Sequence, residues 1–180
     1  MLLSFPRAIA LRRLAAATGI GLALGGCSLF SGEYSDVKCP ATGVVSGVGT
    51  LSRFDGRGTG FVDLGYRASL GAVKSDCAVD STGVTVTLMV STLAELGPAA
   101  TGRTADFPYF VAVTDSKDKI IAKRVFANSL TFKPDQNRTG GRDTVSERIP
   151  LEDPKQAPRY HVILGFQLTE EELAYNRSLH

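Results

Sequence analysis

The feature that most constrains the fold of this chain is an alternation of apolar and polar side chains with a period of two. Four stretches show the alternation clearly: residues 61–70, 84–91, 109–114 and 160–168. In each stretch, β-branched and aromatic residues occupy one face, as in a strand with a single buried face. Weaker runs at 44–51, 120–132 and 144–149 bring the number of predicted strands to about seven.

This pattern predicts an all-β domain, with an antiparallel β-sandwich of immunoglobulin-like or fibronectin-III-like topology as the expected architecture. A small barrel is the alternative, and the chain has no tryptophan, the usual core marker of antibody domains. Residues 115–119 predict a hairpin turn. Turn-forming or loop residues are concentrated at 97–98, 135–142 and 152–158.

One short helix is predicted at the C-terminus. Thr169 and Glu172 have the spacing of a capping box, and three glutamates fall in the first turn, where they complement the helix dipole. The segment 170–177 is only about two turns long, so packing against the sheets must hold it in place.

The N-terminal segment has the composition of a secretory signal peptide. It carries Arg7, Arg12 and Arg13, has no acidic residue before Glu33, and is apolar through most of 14–24. That apolar run is too short for a transmembrane helix, which needs about 20 residues.

The run Leu24-Gly25-Gly26-Cys27 resembles the lipobox of bacterial lipoproteins. The resemblance implies cleavage before Cys27, which then carries a diacylglyceryl group and an N-linked acyl chain. Several acyl chains together anchor a protein stably to a membrane. Because Ser28 and not aspartate follows the cysteine, the resemblance favours the periplasmic face of the outer membrane over the inner membrane. A plain secretory signal with an unrelated cysteine is the alternative.

Three segments follow from this interpretation. Residues 1–26 are predicted to be a lipoprotein signal peptide, residues 27–38 the lipidated cysteine and a flexible tether, and residues 39–180 one β-sandwich domain. The formal net charge of +2 falls to −1 once the three signal arginines are removed. The mature chain therefore shows no basic character that would indicate nucleic-acid binding.

After Cys27 is acylated, Cys39 and Cys77 remain, and an even pair in an oxidising compartment predicts a disulfide. The pair is expected to bracket the first two strands and not to bridge two sheets. A redox pair usually has a closer spacing, and a zinc site would need ligands beyond these cysteines and the two histidines, His161 and His180.

No catalytic constellation emerges from the residues. His161 falls on the face of its strand opposite Val162, as expected of a surface histidine. The glycine-rich run 56–60 lacks the ending of a phosphate loop and is interpreted as a hairpin loop. Carboxylates at Glu147 and 170–172 have no predicted cleft between them. The sequence therefore predicts a protein that is not an enzyme, with no metal and no cofactor besides the lipid.

The closing stretch 165–177, Gly-Phe-Gln-Leu-Thr-Glu-Glu-Glu-Leu-Ala-Tyr-Asn-Arg, is similar to the end of a family of uncharacterised Gram-negative lipoproteins. The Cys39-Pro40 start and the strand at 109–113 also resemble that family. The resemblance implies an envelope lipoprotein and no particular activity. From the residues themselves, Tyr175, Asn176 and Arg177 form a candidate partner surface, and the alternative is that they cap the sandwich.

The function expected from these observations is that of a binding or accessory module, anchored to the membrane by lipid and contacting an envelope protein. A stand-alone small-ligand or glycan binder is the second hypothesis, for which Tyr66, Tyr109 and Tyr160 would converge in a pocket. An enzyme that uses His161 is the third.

Replacing the predicted lipid attachment site tests the membrane anchor. The substitution Cys27→Ser removes the thiol that would be acylated, so the protein should leave the membrane fraction or persist as the uncut precursor. Fractionation and intact-mass measurement in native cells check this. Recovery of acylated, membrane-bound protein from the variant would contradict the lipobox interpretation.

Overall fold

The structure is a computed structural model that describes residues 34–179. The predicted signal peptide, Cys27 and residues 28–33 of the predicted tether lie outside the described residues. Within them, nine strands precede one α-helix: β1 Ala41–Val44, β2 Thr50–Phe54, β3 Leu64–Leu70, β4 Lys74–Asp80, β5 Gly83–Leu96, β6 Thr104–Thr114, β7 Ile120–Thr131, β8 Arg138–Pro150, β9 His161–Phe166 and α1 Glu170–Ser178.

The strands form two sheets. The first sheet has the order β1-β9-β6-β7, in which β1 runs parallel to β9 and the other pairs are antiparallel. The second sheet is built around β5, whose length lets it pair with three strands. Its residues 83–89 pair with β4, its residues 92–96 with β3, and its opposite edge with β8. Strand β2 extends this sheet beside β3.

The two sheets enclose one apolar core. The largest side chains with almost no exposed surface come from both sheets: Tyr109, Phe107, Phe166, Leu51, Leu88, Ile149 and Leu164. The rings of Phe107 and Phe166 meet edge-on at 5.4 Å, a favoured aromatic geometry. Each fully buried side chain of this size contributes about 1.5–3 kcal/mol of hydrophobic stabilisation. The all-β class, the two sheets and the short C-terminal helix are confirmed, and the immunoglobulin-like or fibronectin-III-like topology stays a prediction.

Several predicted boundaries were wrong in ways that pairing explains. The stretch 135–142 was expected to be loop, but β8 begins at Arg138, where it pairs with Glu95 of β5. The run 44–51 contains the end of β1, a turn and the start of β2 in the other sheet. Strand β4 was not predicted, and the parallel pairing of β1 departs from a purely antiparallel sandwich.

The disulfide pairs Cys39 with Cys77, as predicted. Its placement differs from the expectation, because it bridges the two sheets. Cys39 precedes β1 in the first sheet and Cys77 lies within β4 in the second. A hydrogen bond of 2.9 Å between the hydroxyls of Thr42 and Ser75 joins the same two strands. The side chain of Val37 also packs against the core, so the folded region begins before Cys39.

On the opposite side of the core, polar side chains join β6 and β7 to β8. The Tyr109 hydroxyl donates a hydrogen bond to the Asp143 carboxylate. Burial, with that carboxylate adding to its effect, raises the pKa of Tyr109 well above its usual range, so the hydroxyl stays a donor. Arg124 and Glu147 form an ion pair at 3.1 Å. These contacts hold the sheets together where no backbone ladder connects them.

The strand register defines two opposite ends of the domain, which we name the entry end and the loop end. The entry end carries Cys39 and the start of β1, which lies beside His161 and the turn at 115–119 that joins β6 to β7, as predicted. The loop end carries the connections 55–63, 97–103 and 132–137. The 11 residues of β6 separate the two ends by about 37 Å. Among residues 34–179, no helix has the length and apolarity needed to cross a bilayer.

Removing the disulfide tests its contribution to stability. The loop closed by Cys39 and Cys77 spans a sequence separation of 38, so the double substitution to serine should lower the free energy of unfolding by about 2–4 kcal/mol. Urea denaturation of both proteins checks this. Reducing agent should destabilise the natural protein and leave the double variant unchanged, and equal stability of the two proteins would contradict a structural role for the bridge.

Candidate functional site

Helix α1 begins where the capping box predicted. The Thr169 hydroxyl accepts a hydrogen bond of 3.2 Å from the backbone N–H of Glu172, and the Glu172 carboxylate accepts one of 2.8 Å from the backbone N–H of Thr169. These two bonds satisfy amides that a helix start leaves unpaired. The cap therefore sets the direction in which the helix leaves β9.

Asn176 fixes the helix against the start of β2. Its side-chain amide donates to the backbone carbonyls of Gly47 at 2.9 Å and Thr50 at 2.8 Å, and the residue is 6% exposed. Because β2 is an edge strand of the second sheet, the helix covers part of an otherwise open edge. Asn176 thus fixes the position of α1 against β2.

Two further contacts join the helix to the end of β2. Arg53 forms an ion pair of 3.1 Å with Glu172. The rings of Phe54 and Tyr175 meet edge-on, with their centroids 4.9 Å apart. The aromatic pair is partly exposed, so one side of it faces solvent.

A cleft of about 780 Å³ opens between the start of α1 and the loop 55–63. We name it the loop–helix cleft, and the residues that determine its chemistry are Arg53, Phe54, Arg57, Glu170, Glu171 and Tyr175. Arg57, Glu170 and Glu171 are exposed. The cleft therefore offers an aromatic surface flanked by charges of both signs.

The loop 55–63 beside the cleft is tight and requires glycine at position 56. The backbone amides of Asp55 and Gly56 both donate to the carbonyl of Asp63, at 3.1 and 3.2 Å. A Cβ atom at Gly56 would lie 2.3 Å from the Asp63 carboxylate, so a larger residue would force the loop apart. The closed loop presents the short 3-10 turn Phe61–Asp63 to solvent, with Phe61 and Val62 each 74% exposed.

A second pocket, of about 540 Å³, lies on the other side of the helix. It is lined by the loop 45–49, Arg67, Ser69 and the C-terminal part of α1. The amide of Asn176, which lines it, is already bonded to the carbonyls of Gly47 and Thr50. We therefore regard the loop–helix cleft as the better candidate site.

The structure separates the three residues of the predicted partner surface. Tyr175 lines the loop–helix cleft, Arg177 is exposed, and Asn176 is buried with its amide committed to backbone carbonyls. Only Tyr175 and Arg177 of the three therefore present side chains to solvent.

The tyrosines proposed to line a ligand pocket do not converge. Tyr66 and Tyr109 are core residues, and the Tyr66 hydroxyl donates to the carbonyl of Asp106. Tyr160 is half-buried against the core. His161 lies at the entry end, away from the cleft, with its Nδ1 3.8 Å from the Asp118 carboxylate. Residues 34–179 hold no group of three or more histidine, cysteine or acidic side chains arranged to bind a metal.

Sequence reasoning missed Phe61, Val62 and Phe54 as site residues. Phe61 and Val62 continue the alternation of β3, so the sequence predicts a strand where the structure has a 3-10 turn. The five-residue run with glycine at 56, 58 and 60 was the one local signal of a tight loop there.

The fold and cleft define a two-sheet β domain whose C-terminal helix and glycine-rich loop form a surface site. Comparison of the chain with protein-family models, curated proteins and solved structures gives no match.

Asn176 is expected to be the main polar contact that docks the helix. Asn176→Ala leaves the carbonyls of Gly47 and Thr50 without their donor, so the free energy of unfolding should fall by about 1–3 kcal/mol. The matched control is Arg177→Ala at the neighbouring exposed position, which should change it by less than about 0.5 kcal/mol. Urea denaturation measures both, and equal effects would contradict the docking role.

Proposed function

We propose that this chain is a lipid-anchored envelope lipoprotein at the periplasmic face of the outer membrane, and that it acts as a non-catalytic binding or accessory module for an envelope protein. The observation that carries the proposal is the pair of exposed apolar side chains, Phe61 and Val62, in the loop 55–63, whose residues Arg57, Gly58 and Thr59 line the loop–helix cleft. Exposed apolar side chains next to charged groups are typical of a protein–protein contact.

The position of the tether supports this arrangement. Strand β1 begins at the entry end, just after Cys39, and the loop–helix cleft lies at the loop end. In this proposal, acyl chains on Cys27 hold the domain through the tether that leads to the entry end. Phe61, Val62 and the cleft lie at the other end of the domain, where an envelope protein can reach them.

The charges of the cleft indicate the kind of partner. Within residues 34–179, Glu170 and Glu171 on the helix form no ion pair, and Arg57 is exposed on the loop opposite. A folded protein surface with an apolar centre and a rim of both charges would match this site. The loop is braced by Asp63, so binding costs little conformational entropy there.

The second candidate is a stand-alone binder of a small ligand or glycan. The observation that favours it is the partly exposed Phe54–Tyr175 pair in a cleft whose volume lies in the range usual for small-molecule sites. In that case the aromatic face would contact an apolar ring face, and Arg57 and Glu170 would contact polar groups of the ligand.

Photo-crosslinking in native cells distinguishes the two. p-Benzoylphenylalanine placed at position 61 should give one reproducible protein adduct, because Phe61 is expected to lie within the contact. The matched control is the same residue at position 93, since Leu93 is also exposed, at 47%, but lies on the outer face of the second sheet. Position 93 should give no such adduct.

Two substitutions complete the test. Phe61→Ser together with Val62→Ser should abolish the adduct formed from a crosslinker at position 57, with an unchanged melting temperature because both side chains are solvent-exposed. Absence of any protein adduct at positions 57 and 61 would overturn the proposal. Saturable binding of a glycan that Tyr175→Ala abolishes would favour the second candidate instead.

A further inference from the structure

Strand β7 forms an open edge of the first sheet. It is 12 residues long and, among the described strands, it pairs with β6 alone. An edge strand presents unpaired N–H and C=O groups that another extended chain can use. The register of β7 with β6 determines which of these groups face outward.

The hydrogen bond of the Pro108 carbonyl shows which backbone groups of β7 face outward. Proline has no N–H, and the carbonyl of Pro108 accepts a bond from the amide of Gln167, on the side of β9. Pro108 and its partner Ala127 therefore form a non-hydrogen-bonded pair, in which the peptide groups of Ala127 point to the free edge. By alternation, Val125 and Lys123 point the same way.

On either side of residues 123–127, the outward backbone groups of β7 are already bonded or the pairing is interrupted. Beyond Ala127, the next outward amide belongs to Ser129 and already donates to the side chain of Asn128 at 2.7 Å. The outward carbonyl of Thr131 accepts from the Thr139 hydroxyl at 3.2 Å. At the other end, a β-bulge between Val113 and Thr114 interrupts the pairing. The open segment is thus residues 123–127.

Other edge strands of the two sheets have similar side-chain caps. On β8 the Asp143 carboxylate accepts from the amide of Thr144 at 2.9 Å, and on β4 the Asp76 carboxylate accepts from that of Cys77 at 2.9 Å. Strand β2 is covered by α1 through Asn176. No side-chain cap is found on Lys123, Val125 or Ala127 within residues 34–179, so these three outward amides are available to an added strand.

The side chains of the open segment indicate the chemistry of an added strand. Val125 is 53% exposed and lies beside Lys123, whose ammonium group sits over the Phe110 ring at 4.6 Å. In the part of the chain that the structure describes, Lys123 forms no ion pair, whereas Arg124 is paired with Glu147. The edge is therefore apolar with uncompensated positive charge.

We propose that residues 123–127 of β7 are a docking site for a short extended segment of a partner protein, which joins the first sheet as an added strand and carries alternating apolar and acidic side chains. Its backbone bonds to the free groups of Lys123, Val125 and Ala127, and its carboxylates face Lys123. A second copy of this chain fits less well, because it would bring two Lys123 side chains to the contact and no free carboxylate. The site is separate from the loop–helix cleft.

The test uses the purified full chain in detergent and a capped peptide of four alternating glutamate–valine pairs. Amide hydrogen exchange read by NMR should slow at least tenfold at Lys123, Val125 and Ala127 when the peptide is added. A capped peptide of lysine–valine pairs is the charge control and should give no protection. Absence of protection by the acidic peptide, or equal protection by both, would overturn the proposal.

Three variants separate the contribution of the backbone hydrogen bonds to peptide binding from that of the charge. Ala127→Pro removes one outward N–H without breaking a bond to β6, since prolines are tolerated at such edge positions, and it should weaken peptide binding at least tenfold. Ala127→Val keeps the N–H and should bind as the natural protein does. Lys123→Glu should reverse the preference between the acidic and basic peptides.

A further measurement excludes a contact between copies. Analytical ultracentrifugation of the full chain without peptide should show no self-association that Ala127→Pro removes. A dimer that forms through this edge, with protection of the same three amides at high protein concentration, would overturn the proposal in favour of a second copy. Neither result depends on Phe61, Val62 or the cleft.

Discussion

The fold depends on strand β5, because its 14 residues pair with three other strands. Its inward side chains Val84, Val86, Leu88 and Val90 are all but inaccessible to solvent and form one wall of the core. The half that pairs with β4 positions the cysteine that bridges the sheets. The half that pairs with β3 positions the glycine-rich loop at the opposite end. One continuous strand thus relates the covalent bridge to the candidate site.

The edge strands of the two sheets are protected from further pairing in different ways. Helix α1 covers β2, the disulfide joins β1 to β4, and carboxylates cap outward amides on β8 and β4. These devices matter because an unpaired strand edge invites association with another chain. Among the described residues, the tip at Phe61 and Val62 and the short edge of β7 remain exposed. Both of our proposals concern such remaining surfaces.

The prediction of strands from the sequence was most accurate where the signal was local. Alternation at 84–91 and 109–114 placed parts of β5 and β6, and the capping box placed the start of α1. The start of β8 and the whole of β4 were missed. Residues 138–142 contain two glycines and read as a loop, yet they are strand because β5 offers them a pairing partner. Long-range pairing can override local preference, since β propensity mostly reflects the surroundings of a strand.

For the candidate site, the sequence supplied Tyr175 but not its surroundings. Phe54 and Arg57 are far from Tyr175 along the chain, and only the pairing of β2 with β3 and the docking of α1 bring them to one region. In the sequence, Asn176 is as well suited to a partner surface as its neighbours are, because nothing local distinguishes an exposed amide from one that docks a helix. The sequence by itself determined the strand periodicity, the helix cap and the pair of cysteines, since each depends on neighbouring residues or on a simple count. Only the tertiary structure decided that the disulfide joins the two sheets, that Asn176 is buried and that residues 123–127 stay open, because these depend on which distant strands become neighbours.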